Sequence, residues 1–450
     1  MIYLVSSAFA FLTSLFATDS DYRTWGWIAG LAYLVAAMLA ELFQLTGARS
    51  HRAERTDARR SFILRMALLV FVVYGAVLLP LGVEMAWRAE GTVGAHAQAE
   101  VAVIERAGDR VAAGHSPYLG RPTEIGGPAT TYNRHLDAGS YFPYLPGMAA
   151  FGLLNALSLP VAFTDARFLI VLFTLAVTAM ALRLSRAPLN RRIRVAQFVL
   201  ALPVGALPLA TGGDDLPVIA LLLLGLVFAA RRSSVAAGAI FGLAATLKFT
   251  AWPILLLMAL AARDRRGRHV PVRYLTAAMA VLVPVTALGL VPSPRAFVTS
   301  VIRFPLGLTP LRSPAASPLL GQALTTLLPA ERRPITVALV LVGLVIVAAV
   351  VKVKLPKTTA EVSGFAAFAL LVATILAPAT RFGYLIYPID LAVFAFLVVD
   401  PPRALTAQPQ SWSFSSRSWS STWEDASTDA PPSAAENDDD EGSMSTSTSQ

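Results

Sequence analysis

Long apolar segments recur along the chain almost to residue 400, and they constrain its fold more than any other feature. A helix needs about 20 apolar residues to cross the hydrocarbon core of a bilayer. The candidate segments lie at about 1–17, 25–47, 62–88, 166–184, 195–211, 216–231, 234–248, 250–262, 273–292, 334–353, 362–379 and 384–400. Only 14% of the residues are charged, too few to cover a soluble fold of this size. The sequence therefore predicts an all-α, polytopic transmembrane bundle.

The distribution of basic residues predicts the topology, because cytoplasmic loops carry an excess of Lys and Arg. The basic clusters lie at 49–60, 183–194, 231–232, 263–268 and 352–357. Placing all five in the cytoplasm puts the long loop 89–142 outside, and the apolar stretch 143–160 then does not span. We predict a re-entrant or juxtamembrane helix for that stretch. The result is about twelve crossings of the plasma membrane with both termini cytoplasmic.

The chain divides into two parts of different composition. Residues 1–400 form the predicted transmembrane domain. Residues 401–450 are rich in Ser, Thr, Pro and acidic residues, and we expect a disordered cytoplasmic tail because such a segment buries too little apolar surface to fold. The net charge of +9 is explained by the cytoplasmic loops, so we expect no nucleic-acid partner.

Lys248 lies between two short apolar segments, 234–248 and 250–262, which predict a hairpin of short helices meeting near it. The other three lysines of the chain fall in the cytoplasmic cluster 352–357. The predicted topology places Lys248 in the outer half of the membrane, where ionisable residues are costly and usually functional. Its ammonium group would suit a phosphate anion. The alternative is that it snorkels to the outer surface.

The outer loop 89–142 contains acidic residues on a predicted helix at 97–113. Glu105 and Asp109 share one face by their spacing, so their simplest interpretation is solvation of a surface helix. Glu100 lies near His96 in an otherwise apolar setting, and a carboxylate at the membrane boundary can act as a general base. The sequence leaves the structural and the catalytic interpretation of Glu100 open.

Further polar residues fall at predicted outer helix ends. Asp165 is explained as an N-cap. Asp214 and Asp215 follow two glycines, and either capping with solvation or contact with a polar substrate would explain them. Arg312 and Arg381 also lie on the predicted outer side, Arg381 beside aromatic residues, and an arginine in a partly desolvated site is suited to binding phosphate.

Several short motifs occur in an order that resembles glycosyltransferase family 87, the polyprenol-phosphate-mannose-dependent membrane enzymes of the GT-C class. The resemblance covers roughly residues 90–390. The motifs are Gly114-His-Ser-Pro-Tyr118, Tyr141-Phe-Pro-Tyr144-Leu-Pro-Gly147, Gly212-Gly-Asp-Asp215 and the hairpin segment from Gly238 to Lys248-Phe-Thr-Ala-Trp252-Pro253. The resemblance implies a GT-C-like fold.

The resemblance also implies an activity. The family's catalytic Asp precedes the Gly114 motif by about a dozen residues, which matches Glu100, with Asp109 as the fallback. The implied reaction transfers a sugar, most simply mannose, from a polyprenyl-phosphate donor to an extracytoplasmic glycolipid or cell-wall glycan, with inversion. Lys248, Arg381 and Arg312 would bind the donor phosphate. The implied substrate-contacting residues are His96, Tyr118, Tyr144, Asp214, Asp215, Trp252 and Tyr384.

Two other classes of function compete with the enzyme. A transporter or flippase of lipid-linked sugars would place charged residues along a central pathway, and a scaffold would act through the tail. The chain has no cysteine, which excludes thiol chemistry and Cys-type metal sites. We expect no cofactor and no metal, with a divalent ion at Asp214 and Asp215 as the alternative. The expected partners are the donor, the acceptor and membrane lipid.

Overall fold

The computed structural model describes residues 1–47, 54–92, 96–118, 141–157, 159–263, 269–309 and 313–397. Within these ranges the protein is helical, with one isolated parallel bridge between Ala316 and Thr380, so the all-α prediction is confirmed. The described α-helices of more than one or two turns are α1 (Ile2–Phe16), α2 (Ser20–Gly47), α3 (Glu54–Val73), α4 (Leu79–Ala89), α5 (Ala99–Ala112), α6 (Ala166–Leu184), α7 (Leu189–Ala196), α8 (Pro203–Thr211), α9 (Leu216–Ala230), α10 (Ser234–Leu247), α11 (Trp252–Arg263), α12 (His269–Leu290), α13 (Leu320–Leu327), α14 (Arg332–Val353), α15 (Thr359–Leu376) and α16 (Ile386–Leu397). The predicted tail and its boundary at residue 401 lie outside the described residues.

Among the described residues, six stretches of helix are long and apolar enough to cross a membrane. They are Ser20–Phe43, Phe62–Ala89, Ala166–Leu184, His269–Leu290, Pro329–Val353 and Thr359–Leu376. A seventh results if Leu189–Ala201 and Pro203–Thr211, which are bent by 43°, form one span. The other predicted segments also form helices, but these are shorter. A multi-pass helical membrane protein is thus supported, whereas the prediction of about twelve crossings is not confirmed.

Helix α9 occupies the centre of the bundle. Its residues from Leu216 to Val227 are all buried, and it packs against α6, α10, α15 and α16. A helix that is apolar on every side is stable only where neighbours surround it. By contrast, α14 leaves most of its apolar side chains exposed and packs mainly against α15. The N-terminal end of α9 therefore lies in the buried interior of the described structure.

Glycines allow close contact between α10 and α12. A Cβ atom at Gly238 would overlap the backbone oxygen of Tyr274, and one at Gly242 would overlap that of Ala278. Glycines four residues apart lie on one helix face and let two backbones touch, which is a common interface in membrane helix bundles. This contact secures α10, the helix that ends immediately before Lys248.

The stretch predicted as a re-entrant or juxtamembrane helix forms an eleven-residue 3₁₀ helix, Pro146–Ala156. It packs on α5 at a point where Gly108 and Gly152 face each other, since a Cβ atom at Gly108 would overlap the Gly152 backbone. Its place in the membrane is not tested and stays a prediction. The predicted helix at 97–113 is confirmed as α5, but one face of it is buried against this 3₁₀ helix.

The prediction that Glu105 solvates a surface helix is wrong. Glu105 is buried and accepts two hydrogen bonds from Arg88, of 2.8 and 2.6 Å. Arg88 also donates to Asp165 at 2.7 Å, and Arg167 pairs with the same carboxylate at 2.8 Å. Helical spacing identified the face that Glu105 shares with Asp109, but it could not show which residues pack against Glu105. Asp165 does accept a hydrogen bond from the Arg167 backbone amide, so its predicted role as an N-cap is confirmed.

Candidate active site

The predicted break near Lys248 is confirmed. Helix α10 ends at Leu247, Lys248 is extended (φ −147°, ψ 151°), and α11 begins at Trp252. Pro253 is tolerated because it falls in the first turn of α11, where the missing amide hydrogen would have no helical acceptor. The amide of Leu145 donates to the carbonyl of Leu247 at 3.0 Å. The Tyr144 segment is thereby fixed beside the C-terminal end of α10.

Lys248 is paired with both aspartates of the turn before α9. Its Nζ lies 2.7 Å from Oδ2 of Asp214 and also contacts Oδ1 of Asp215, while the Tyr387 hydroxyl donates to that same Oδ1 at 2.7 Å. The ammonium group also lies 5.0 Å from the centre of the Tyr144 ring, within cation–π range. Asp215 precedes α9 but makes no side-chain capping bond. Capping therefore does not explain this aspartate, and snorkelling does not explain the lysine.

The two glycines before the aspartates fit a tight turn that contacts the start of α5. Gly213 has a φ of +69°, a conformation that favours glycine. A Cβ atom at Gly212 would lie 2.6 Å from Oε1 of Gln98. The Gln98 amide side chain donates to the hydroxyls of Thr211 and Tyr22, both at 2.8 Å. The turn and the first residues of α5 are thus held against each other.

The candidate base and one candidate phosphate ligand form an ion pair. Nη1 of Arg381 contacts Oε1 of Glu100, although the two residues are 281 positions apart. Tyr144 and Tyr384 lie within electrostatic range of this pair and of the Lys248 cluster, and so connect them. Burial, and then the nearby carboxylate of Asp214, raise the pKa of Tyr144, so its hydroxyl stays protonated and can donate a hydrogen bond.

A comparison with protein families identifies the family of the chain. The model of glycosyltransferase family 87 matches residues 142–388, more than half of the chain. The chain belongs to glycosyltransferase family 87. The predicted family is thus confirmed, and the protein is a membrane glycosyltransferase. The matched range includes Tyr144, the Asp214–Asp215 pair, Lys248 and Arg381, whereas Glu100 precedes it. No match was found among curated proteins or among solved structures.

Two of the predicted polar site residues of this glycosyltransferase lie apart from the Lys248 cluster. Asp109 follows Glu100 by nine residues on α5, about 13 Å along the helix axis, and accepts a hydrogen bond from Asn155 at 2.8 Å. His96 is buried, with Nδ1 2.8 Å from Oε2 of Glu84 and Nε2 2.9 Å from the hydroxyl of Thr92. Both ring nitrogens of His96 are therefore engaged within the protein. Arg312 lies outside the described residues.

The predicted aromatic residues take different positions in the glycosyltransferase. Tyr144 and Tyr384 are close enough to both ion clusters to interact with them electrostatically, as described above. Tyr118 is buried behind them and donates to the Tyr144 carbonyl at 2.9 Å. The indole of Trp252 donates to the Ala245 carbonyl at 3.2 Å, across the break at Lys248. Tyr118 and Trp252 therefore support the two sides of the site.

Sequence reasoning missed Tyr387, whose hydroxyl donates to the same oxygen of Asp215 that Lys248 contacts. The available signal was its spacing, because residues three apart on a helix share a face and Tyr384 was already a candidate. In the part of the chain that the structure describes, no group of three or more acidic or histidine side chains is placed to hold a metal ion. Asp214 and Asp215 both use carboxylate oxygens to bind Lys248.

Proposed function

We propose that this glycosyltransferase transfers a sugar from a polyprenyl-phosphate donor to an extracytoplasmic glycolipid or cell-wall glycan, with inversion. Mannose is the sugar that the family resemblance favours. The observation that carries the proposal is the contact between Glu100, a group able to accept a proton, and Arg381, a group able to bind phosphate. A base beside an anion-binding group is the pairing that sugar transfer from a phosphate donor requires.

In the proposed reaction, the carboxylate of Glu100 takes the proton of the acceptor hydroxyl. The acceptor oxygen attacks C1 of the sugar on the face opposite the phosphate, and the C1–O bond breaks with its electron pair going to the phosphate oxygen. The products are an inverted glycoside, polyprenyl phosphate and protonated Glu100. The positive charges of Arg381 and Lys248 stabilise the negative charge that develops on the departing phosphate. Tyr144 and Tyr384 form the wall of the sugar site.

The position of the site along α9 and α10 supports an extracytoplasmic reaction. Asp215 precedes α9 and Lys248 follows α10, so the site lies at one end of this helix pair. Arg231 and Arg232 lie in the turn at the other end. Since basic turns favour the cytoplasm, the site end of the pair faces outward in a plasma-membrane protein.

The proposal is tested by a transfer assay with the purified protein in nanodiscs. Radiolabelled polyprenyl-phosphate-mannose and a membrane glycolipid extract are supplied to wild type, to Glu100→Gln and to a control, Glu41→Gln, which makes the same substitution at an exposed residue on α2. We expect label in a new glycolipid for wild type and the control, and a loss of at least 100-fold for Glu100→Gln, the lower range of a general base's contribution.

The possible results separate the parts of the proposal. Equal transfer by wild type and Glu100→Gln would retain the enzyme and refute Glu100 as the base. Absence of transfer from mannose, arabinose and glucose donors would refute the donor class. In that case a transporter or flippase would be tested by the movement of labelled lipid-linked sugar across proteoliposomes.

A further inference from the structure

The charged groups of the site are all paired with one another in the absence of substrate. Glu100, Asp214 and Asp215 contribute three carboxylates, and Lys248 and Arg381 contribute two cations. These five residues therefore carry one net negative charge. An incoming phosphate is repelled by a group with this net charge unless one of the cations exchanges its carboxylate partner for the phosphate.

The two cations differ in how easily they can exchange partners. Lys248 is held by two carboxylates and the Tyr144 ring, and its side chain is only 11% exposed. Withdrawing its ammonium group would leave two neighbouring carboxylates uncompensated, which is strongly unfavourable in a buried position. Arg381 is 32% exposed and its contact with Glu100 joins one guanidinium nitrogen to one oxygen. Arg381 is therefore the cation that can exchange.

We infer that Arg381 switches between two anions, Glu100 in the free enzyme and the donor phosphate in the enzyme–donor complex. This inference rests on the proposed function. A guanidinium group binds phosphate through two parallel hydrogen bonds, which favours the exchange because the contact with Glu100 joins only one nitrogen to one oxygen. No covalent bond changes in this step, and Arg381 stays protonated throughout. Lys248 keeps its aspartate partners, and its positive charge attracts the phosphate electrostatically without an exchange of partners.

The exchange links donor binding to activation of the base. While Arg381 is bound to Oε1 of Glu100, that oxygen is not available to accept a proton from the acceptor hydroxyl. When the phosphate takes Arg381, that oxygen of Glu100 becomes available to the acceptor hydroxyl. The acceptor hydroxyl is then deprotonated only when a sugar phosphate is in place. The donor consequently binds before productive engagement of the acceptor.

The test is equilibrium binding of a short-chain polyprenyl phosphate, which has the donor's anion but no sugar to transfer. Binding is measured by microscale thermophoresis on the full chain in nanodiscs, for wild type, Glu100→Gln, Arg381→Gln, the double variant and the Glu41→Gln control. We expect Glu100→Gln to bind about fivefold more tightly than wild type, because no ion pair has to be broken. Arg381→Gln should bind at least about tenfold more weakly. The double variant should match Arg381→Gln, and the control should match wild type.

Tighter binding by Glu100→Gln that disappears when Arg381 is also replaced is the result that removal of a negative charge alone does not produce. Unchanged or weaker binding by that variant would overturn the exchange, while transfer of labelled sugar by wild type would leave the proposed function intact. If wild type neither binds polyprenyl phosphate nor transfers sugar, the proposed function itself fails. If Arg381→Gln does not fold, Arg381→Lys, which keeps the charge, replaces it. Adding Glu100→Gln to Arg381→Lys should then tighten binding of the polyprenyl phosphate, and failure to do so would refute the exchange.

Discussion

An ion network holds Glu105 on α5, the helix that also carries Glu100. The charges of this network balance only while all of its members are present, so removing one member tests how the fold positions Glu100. Arg88 binds Glu105 through both carboxylate oxygens and also binds Asp165, which Arg167 binds as well. Two cations thus balance two acids. The substitution Arg88→Met leaves two carboxylates against one guanidinium group, and the Glu105 and Asp165 side chains are only 7% and 1% exposed.

The cost of Arg88→Met follows from this charge balance. Removing one partner of a buried ion pair typically costs about 3–5 kcal/mol. Arg88 is 24% exposed and Asp165 keeps its contact with Arg167, so we expect the lower end, about 3 kcal/mol. Adding Glu105→Gln removes the uncompensated charge but keeps a side-chain oxygen for the Ala166 amide, which donates to Oε1 of Glu105 at 3.1 Å in the wild-type protein. The double variant should therefore lose only about 1 kcal/mol, the scale of a lost neutral hydrogen bond.

The assay is the midpoint of denaturant unfolding in one fixed detergent, followed by helix content, with sugar transfer measured in parallel. Arg23→Met, at an exposed arginine of α2, serves as the matched control and should leave the midpoint unchanged. The charge argument requires the double variant to be more stable than Arg88→Met alone. A double variant that is equally stable or less stable would refute it, because the loss would then come from packing rather than from an uncompensated carboxylate.

Three further substitutions test separate contacts by the same unfolding assay. Gly147→Ala should lower stability by about 1–3 kcal/mol, because its Cβ atom would lie 2.5 Å from the Thr246 hydroxyl, and Thr246→Ala should recover part of the loss. Tyr387→Phe should cost about 1.5–3 kcal/mol by removing the hydrogen bond to Asp215, with unchanged stability as the contrary result. Asp390→Leu should stabilise by about 1–3 kcal/mol, since neither carboxylate oxygen of this buried residue has a hydrogen-bond partner among the described residues; a lower midpoint would contradict that.

Much of the local structure follows from the sequence because its causes are local. The apolar segments form helices, since the hydrophobic pattern and the backbone's need for hydrogen bonds act over a few turns. The break at Lys248 was predictable from two short apolar runs with a charged residue between them. The N-cap at Asp165 was predictable from residue type and position alone. The order of short motifs was sufficient to identify the family.

The partners of the charged residues were not predictable, because they depend on how distant segments pack. Sequence nominated Glu100 and Arg381 separately, one as a base and the other as a phosphate ligand, but nothing local indicates that they contact each other. Lys248 was interpreted as an available ammonium group, whereas two aspartates compensate it. The number of membrane crossings was likewise not predictable from the sequence. Helices α10 and α11, with 14 and 12 residues, are about 21 and 18 Å long, which is less than the hydrocarbon core of about 30 Å.

The distribution of charge along the bundle favours sugar transfer over transport. A transport path requires polar groups through both halves of the membrane, whereas α9 beyond Asp215 is apolar and buried from Leu216 to Val227. The Lys248 cluster therefore lies at the end of a packed apolar layer, as suits the proposed lipid-phosphate donor, which would approach from one side. Asp390, one turn beyond Tyr387 on α16, is the residue that a path toward the other side would use. If Asp390→Leu stabilises the fold and leaves sugar transfer intact, Asp390 is not a functional polar group on such a path. The reaction is then confined to the end of the bundle where Glu100 and Arg381 meet.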